Sequence, residues 1–212
     1  MVTILGTGNM ARGIGTRLLA AGADVTLLGT QAAKAEALAA ELRGAASGGA
    51  AVKSGVVGDP IADEIIVLAV PYAAAGSLLQ RYATQLGGRT VVDITNPLNA
   101  TYDGLVTPPG SSAAEELAHV VPEATLVKAF NTTFAQTLVA GQVAGQPLDV
   151  FLAGDDAAAK ARLAQLVQAG GMRPIDAGPL QRARQLEALG LLHITLQSTL
   201  GTGFASAVKI LP

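Results

Sequence analysis

Residues 2–13 of the chain read VTILGTGNMARG. The first four residues are mostly apolar and predict a short buried strand. After the glycines, apolar residues recur every four positions, which is the period of one helix face: Met10, Ile14 and Leu18. Between the strand and the helix lies the spacing G-x-G-x-x-A, formed by Gly6, Gly8 and Ala11. In this strand–turn–helix context the spacing predicts dinucleotide binding.

Each small residue of this turn has its own role in the prediction. Gly6 allows the tight turn, Gly8 lets the backbone approach a pyrophosphate, and Ala11 lets the helix pack closely on the strand. Backbone N–H groups at the helix start, around Asn9 and Met10, are expected to hold the phosphates together with the positive end of the helix dipole. A glycine-rich turn in another kind of α/β protein is the alternative interpretation.

Composition and length narrow the class of protein. The 212 residues are 50% hydrophobic, which is enough for one large domain, or for one domain with a small appendage. The net charge of −2 argues against nucleic acid as the main partner. The absence of cysteine excludes disulfides, cysteine-ligated zinc or iron–sulfur clusters and a cysteine nucleophile. Because a strand is predicted at the start of the chain, we expect no signal peptide and a cytoplasmic location.

Strands and helices are predicted to alternate over residues 1–146. After the first strand, further strands are predicted at 24–28, 51–57, 64–70, 89–94 and 125–130. Helices are predicted at 31–42 and 73–86 and from a cap at Ser111 or Ser112 to Val120, with a flexible turn at 44–49. This alternation is typical of a Rossmann-type, doubly wound parallel sheet, whose ligands bind outside the carboxyl ends of the strands.

Residues 147–212 are predicted to form a small C-terminal α/β appendage. Strands at 148–153 and 172–176 flank a helix that runs from 154 to 169, and another helix follows Pro179. The run 188–208 contains no Asp, Glu, Lys or Arg and has about the length of a membrane span. Its hydroxyl, amide and histidine side chains are too polar for a span, so we predict a helix buried in a core or a subunit interface. We therefore expect a homodimer and no membrane partner.

The end of the second predicted strand favours NADP over NAD. NAD-binding proteins usually carry an Asp or Glu there, about twenty residues after the glycines, to bond the ribose 2′-hydroxyl. This chain reads LGTQAAK at 28–34 and has no carboxylate in that position. Thr7, Thr30 and Gln31 can donate hydrogen bonds to a 2′-phosphate, and Lys34 can supply a positive charge. A solvated lysine on a helix is the alternative interpretation of Lys34.

Five segments occur in one order along the chain: TILGTGNMARGI at 3–14, AVP at 69–71, ITNPL at 94–98, VKAFNT at 127–132 and RPIDAGPL at 173–180. This ordered set resembles the NADPH-dependent coenzyme F420 reductases, a family that includes the cytosolic reductase domains of the STEAP metalloreductases. The resemblance implies direct hydride transfer between NADP(H) and a flavin-like ring, with coenzyme F420 or a flavin as acceptor. Such a reaction needs no catalytic side chain, and the residues show no Ser/His/Asp set and no histidine cluster with metal-ligand spacing.

The resemblance also implies a set of cofactor contacts. Thr7, Thr30 and Lys34 match the family's 2′-phosphate contacts, with Gln31 where members can carry an Arg. The loop Ala69, Val70 and Pro71 matches the surroundings of the two riboses. The floor around the nicotinamide is matched by Asn96, Pro97, Ala129, Asn131 and Thr132. This chain has Asn131 where the archaeal enzymes carry a histidine.

Several interpretations remain open at this stage. The opening GNMARGI also resembles pyrroline-5-carboxylate reductases and other imine or β-hydroxyacid reductases, although these need a larger helical second domain. A non-catalytic NADPH-binding sensor is a further alternative. Asn96 and Pro97 can simply end a strand, and Asn131 and Thr132 can cap a following short helix. Lys128 is expected to face either the cleft or water.

His193 is predicted to be a buried, hydrogen-bonded histidine rather than a proton donor, and His119 a surface residue.

Overall fold

The computed structural model describes residues 1–46 and 49–211. Its strands are β1 Val2–Leu5, β2 Val25–Gly29, β3 Val52–Val56, β4 Ile65–Leu68, β5 Thr90–Asp93, β6 Thr125–Lys128, β7 Gln142–Val143, β8 Gln146–Pro147, β9 Asp149–Ala153 and β10 Arg173–Gly178. Its helices are α1 Asn9–Ala20, α2 Ala32–Ala45, α3 Tyr72–Leu86, α4 Ala113–Val120, α5 Ala135–Ala140, α6 Ala157–Ala169 and α7 Ala183–Leu200, with a 3-10 turn at Leu180–Arg182.

Eight strands form one sheet in the order β10-β9-β6-β5-β4-β1-β2-β3. The strands β1 to β6 are parallel, as predicted. β9 and β10 are parallel to each other, but β9 joins β6 in the antiparallel direction at a single pair, Lys128 and Ala153. The α/β content predicted for the C-terminal segment is therefore present, and its strands extend the main sheet. The division into two domains after residue 146 stays a prediction.

Apolar side chains on both faces of the sheet explain its central position. β1 and β4 are buried over their whole length. Neighbouring residues of β1 point to opposite faces, because side chains alternate along a strand. Ile4 belongs to a core formed with α1, α2 and α6, and Leu5 to a core formed with α3 and α4. Each buried leucine or isoleucine contributes ~1.5–3 kcal/mol to folding.

Most predicted elements are observed with small shifts at their ends. Ser112 caps α4 by accepting a hydrogen bond from Glu115 N, and Asp156 caps α6 in the same manner. The turn predicted at 44–49 lies partly outside the described residues, because 47 and 48 are not among them. The sequence did not predict the bounds of the short α5 or the hairpin of β7 and β8.

The C-terminal helix corrects the prediction for the run 188–208. α7 ends at Leu200, and the chain continues without regular structure to residue 211. One face of α7 is buried, whereas three leucines on the opposite face are exposed: Leu192, Leu196 and Leu200. The core of the chain therefore covers only one side of this helix, and burial of the other side in a subunit interface stays a prediction. Within the described residues, no helix combines the length and apolar character that a membrane crossing requires. The cytoplasmic location stays a prediction.

Candidate functional site

The glycine turn brings the end of β1 against the end of β4. Gly6 has φ +124°, a backbone conformation that residues with a side chain rarely adopt. A Cβ atom at Gly6 would lie 2.1 Å from the carbonyl oxygen of Ala69. The backbone therefore passes directly over the loop 69–71, and this contact requires glycine.

The N-terminus of α1 has the features of an anion site. Gly8 is its N-cap, makes no side-chain capping bond and is followed by no acidic residue in the first turn. A Cβ built at Gly8 would find no described heavy atom within 4 Å. The first N–H groups of α1 lack partners inside the helix, so they can donate to a diphosphate. The predicted pyrophosphate cradle fits this geometry.

A cleft of about 1320 Å³ opens beside this turn at the carboxyl ends of the strands. It includes seven residues that the sequence predicted for cofactor binding: Asn9, Met10, Ala69, Val70, Pro71, Asn96 and Asn131. The opposite wall comes from the loop 101–103, from α7 and from the segment that follows α7. The position agrees with the rule that ligands of open parallel sheets bind beyond the carboxyl ends of the strands.

Two asparagines form a rigid floor in this cleft. Asn96 Nδ2 donates to the carbonyl oxygen of Asn131 over 2.8 Å, and Asn131 Nδ2 donates to Asn96 Oδ1 over 2.9 Å. Asn131 Nδ2 also donates to the carbonyl oxygen of Leu186 on α7, 2.8 Å away. This last bond identifies the nitrogen of the Asn131 amide, because a carbonyl can only accept. The predicted helix-capping role of Asn131 and Thr132 is wrong, since α5 begins only at Ala135.

Two buried polar atoms of the cleft have no hydrogen-bond partner among the described residues. They are Thr95 Oγ1 and Asn131 Oδ1, and both side chains are at most 5% exposed. A buried polar atom without a partner is costly, so the pair points to a ligand group that can both donate and accept hydrogen bonds. The carboxamide of a nicotinamide has this pattern, and the cleft therefore fits the nicotinamide end of NADP(H).

Aromatic side chains line the rest of the cleft. Phe134 stacks on His193 with ring centroids 4.3 Å apart and meets Phe204 edge-on at 5.1 Å. Tyr102 and Phe204 are exposed and have φ values of +58° and +65°. Non-glycine residues in this left-handed region are uncommon and concentrate at functional sites. The cleft thus offers flat apolar walls opposite its polar floor.

His193 is buried and hydrogen-bonded, as predicted, and it supports the aromatic wall of the cleft. Its Nδ1 lies 3.2 Å from the carbonyl oxygen of Thr132, and its Nε2 lies 2.9 Å from Ser206 Oγ. Burial lowers the pKa of His193 below its ordinary value, so the ring is neutral at pH 7. His119 is exposed, as predicted.

A buried ion network lies directly under the floor. Lys128 Nζ donates to Asp93 Oδ2 over 2.8 Å, to the carbonyl oxygen of Thr95 over 2.5 Å and to Glu187 Oε1 over 2.8 Å. The charged side chains are fully buried. Both predicted orientations of Lys128 are wrong: it faces neither the cleft nor water.

Glu187 extends this network to a second helix. Its Oε2 accepts from the backbone N–H of Ala113, 2.9 Å away, at the start of α4. Burial raises the pKa of Glu187, while the charge of Lys128 opposes the rise. The network thereby joins β5, β6 and α7 to the N-terminus of α4.

A second cavity of about 530 Å³ lies on the other side of the glycine turn. It is lined by five predicted cofactor contacts, namely Gly6, Thr7, Thr30, Val70 and Pro71. Its remaining walls are mostly apolar, and one cation, Arg81, is among its lining residues. The two cavities share Val70 and Pro71, so together they offer an extended site on both sides of the turn.

The remaining predicted contacts do not line either cavity. Gly8 is exposed at the N-cap of α1, and Gln31 and Lys34 are exposed at the start of α2. The others are buried: Ala11, Pro97, Ala129 and Thr132. Sequence analysis also missed lining residues of both cavities, including Tyr72, Thr95, Tyr102, Phe134, Phe204 and Arg81. Thr95 directly precedes Asn96 in the ITNPL segment and could have been found there; the others carry no local signal.

Comparison with known proteins gives consistent matches. The family model described as NADP oxidoreductase coenzyme F420-dependent matches residues 1–97. Metalloreductase STEAP3 from Rattus norvegicus is 34% identical over 190 residues, which are 90% of this chain and 36% of that protein. F420-dependent NADP reductase from Methanocaldococcus jannaschii is 32% identical over 151 residues, 66% of each protein. This chain therefore spans about a third of the length of the rat protein and about two thirds of the archaeal one.

A solved structure from Arthrobacter sp. FB24, described as a candidate F420-dependent NADP-reductase, is similar over the whole chain. It has a TM-score of 0.85 and 31% identity, and the match covers 100% of this chain and 99% of that one.

Proposed function

Since the chain belongs to the family of coenzyme F420-dependent NADP oxidoreductases, we propose that it transfers a hydride between NADP(H) and a flat, flavin-like ring, with coenzyme F420 as the first candidate. The names of the family model and of the similar proteins support NADP-dependent oxidoreductase activity. They differ on the acceptor, because one relative is named an F420-dependent NADP reductase and another a metalloreductase.

The observation that carries the proposal is that the large cleft has polar atoms on its floor and aromatic rings on its walls. Its floor offers Thr95 Oγ1 and Asn131 Oδ1 without protein partners among the described residues. Its walls offer the aromatic faces of Tyr102, Phe134 and Phe204. Polar atoms on one side suit a carboxamide, and aromatic faces on the other suit a stacked heteroaromatic ring. This arrangement supports two flat rings lying face to face.

When bound, the nicotinamide supplies or accepts the hydride, and the protein contributes binding and orientation. Thr95 and Asn131 would hold the carboxamide through the two polar atoms that lack partners among the described residues. Asn96 keeps Asn131 in place through their reciprocal hydrogen bonds. Phe134 and Phe204 would provide apolar contacts for the acceptor.

Tyr72 and Asp103, two of the ionisable groups of the cleft, support a reaction without side-chain proton transfer. The hydroxyl of Tyr72 donates to Glu116. Burial is the main cause that raises the pKa of Tyr72, and this hydrogen bond is the second. Hydrogen bonds from Asn99 and Thr101 lower the pKa of Asp103. Neither group therefore changes its charge near pH 7, as a general acid or base would need to do.

The test is a stopped assay of NADPH oxidation with coenzyme F420, FMN and riboflavin in parallel. We expect rapid oxidation with coenzyme F420. Oxidation only with FMN or riboflavin would refute coenzyme F420 as the acceptor and assign the chain to flavin or ferric reduction. Binding of NADPH without oxidation by any of the three would refute the flavin-like acceptor and favour a small-molecule reductase or an NADPH sensor.

A further inference from the structure

The smaller cavity has mostly apolar walls and one cation, Arg81, among its lining residues. Residues Ala74, Ser77, Leu78 and Arg81 of α3 line it at the spacing i, i+3, i+4 and i+7, which places them on one helix face. Thr7 and Thr30 line it from the ends of β1 and β2. In dinucleotide-binding sheets, the group that contacts the ribose 2′-position lies at the end of the second strand. Arg81 thus lies on the same cavity as Thr30.

The position of Arg81 is set by the loop after β3. A Cβ atom at Gly58 would lie 2.5 Å from Nη2 of Arg81, so the guanidinium rests directly on the backbone of Gly58. The N–H of Gly58 donates to the hydroxyl of Tyr82 over 2.6 Å, and Val57 N donates to the carbonyl oxygen of Gly29 over 2.9 Å. The loop that supports the guanidinium is therefore anchored to β2 and α3.

The guanidinium of Arg81 is available to a ligand. Across residues 1–46 and 49–211, no carboxylate oxygen lies within 4.0 Å of it. A guanidinium presents five N–H donors in a planar fork that matches the oxygens of a phosphate. By contrast, Lys34 is exposed and lies outside the lining of the cavity.

We infer that Arg81, together with the hydroxyls of Thr7 and Thr30, recognises the 2′-phosphate and makes the site selective for NADP(H) over NAD(H). The inference rests on the cofactor placement proposed above. It assigns to α3 the charge that sequence reasoning placed at Lys34 on α2. The segment 28–34 contains Gln31 and no arginine. An arginine of α3 supplies the guanidinium instead.

The test uses ligands that occupy only the adenosine end. Titration calorimetry would measure binding of adenosine 2′,5′-bisphosphate, ADP, NADPH and NADH to the wild type, Arg81→Ala, Arg81→Lys and the matched control Lys34→Ala. We expect Arg81→Ala to weaken adenosine 2′,5′-bisphosphate and NADPH at least tenfold, and ADP and NADH less than twofold. Arg81→Lys keeps the charge but not the fork, so its loss should be intermediate. Arg81 is exposed, so these variants are expected to fold.

Other outcomes overturn the inference. Equal loss for ligands with and without the 2′-phosphate would show that the guanidinium stacks on the adenine. Unchanged binding in Arg81→Ala, or the full loss in Lys34→Ala instead, would show that Arg81 does not read the phosphate. A wild type that binds adenosine 2′,5′-bisphosphate but does not oxidise NADPH with any acceptor would refute the proposed reaction and leave the role of Arg81 standing.

Discussion

The substitution Thr95→Val is expected to affect the stability of the ligand-free protein and its affinity for NADPH differently. Valine has the size of threonine but lacks the hydroxyl, and Thr95 Oγ1 has no hydrogen-bond partner among the described residues. The backbone contacts of Thr95 remain: its N–H donates to Asp93 Oδ1 over 2.9 Å, and its carbonyl accepts from Lys128 Nζ over 2.5 Å. The substitution therefore removes one functional group and leaves its surroundings intact.

The two expected effects have opposite signs. An unsatisfied buried hydroxyl costs ~1–3 kcal/mol, so its removal should raise the free energy of unfolding of the ligand-free protein by about 1 kcal/mol. In the complex the hydroxyl bonds the carboxamide, and a neutral hydrogen bond contributes ~0.5–1.5 kcal/mol. NADPH affinity should therefore fall roughly two- to tenfold.

Urea denaturation would measure the first effect and fluorescence titration of NADPH the second. Thr133→Val is the matched control, because Thr133 lines the same cleft but its hydroxyl already donates to the carbonyl oxygen of Phe130 over 2.7 Å. The control should lose stability and keep its affinity. An unchanged affinity in Thr95→Val would refute the assignment of the cleft floor to the carboxamide.

Three further predictions follow from the buried charges and the exposed face of α7. Lys128→Met leaves two buried carboxylates without their cation, so urea denaturation should show a loss of ~3–5 kcal/mol. Because burial raises the pKa of Glu187 above 4.5, protonation at lower pH relieves the loss. The deficit should therefore shrink as the pH falls toward 4.5, and a deficit that stays constant from neutral pH down to 4.5 would contradict this account. Burial would raise the pKa of Asp149, but hydrogen bonds from Arg173 and Lys209 lower it from 3.8 to about 2. The stabilising effect of the ionised Asp149 is present above pH 3.8 and lost as the pH falls through about 2. Asp149→Asn should therefore be less stable than the wild type at neutral pH in thermal denaturation, and the difference should close over that acid range. A difference that persists at about pH 2 would argue against this role of Asp149. Light scattering should give twice the chain mass of 21.2 kDa, since the exposed leucines of α7 offer an apolar contact for a second copy, and a monomer at micromolar concentration would exclude the dimer.

The parts of the site that lie close together in the sequence could be predicted from it. The spacing of Gly6 and Gly8 reports a backbone requirement, and the structure shows its cause in the contact between Gly6 and the carbonyl oxygen of Ala69. Asn96 could be placed in the cleft because it ends a strand of a parallel sheet. In both cases the signal itself lies within a few consecutive residues, although the Ala69 contact that explains Gly6 comes from the loop after β4.

The parts that depend on distant pairing could not be predicted. Lys128 has its partners 35 and 59 residues away, so its segment alone gives no sign that it is buried and paired. Arg81 lies inside an ordinary helix, and only the packing of α3 beside the end of β2 brings it to the cavity with Thr30. For α7, the uncharged run predicts burial in a core or a subunit interface but does not show which face of the helix packs on the chain itself.

Part of the wall of the large cleft comes from residues late in the chain. The glycine turn, the loop 69–71 and the floor asparagines lie before Thr133, whereas α7 and the segment through Phe204 contribute to the facing wall. Exposed side chains of that late segment, such as Phe204, belong to none of the strands of the sheet. Substitution of those side chains would therefore change the wall of the cleft and leave the glycine turn as it is, so exchange of the C-terminal segment between relatives is a direct way to test what determines which molecule the cleft accepts.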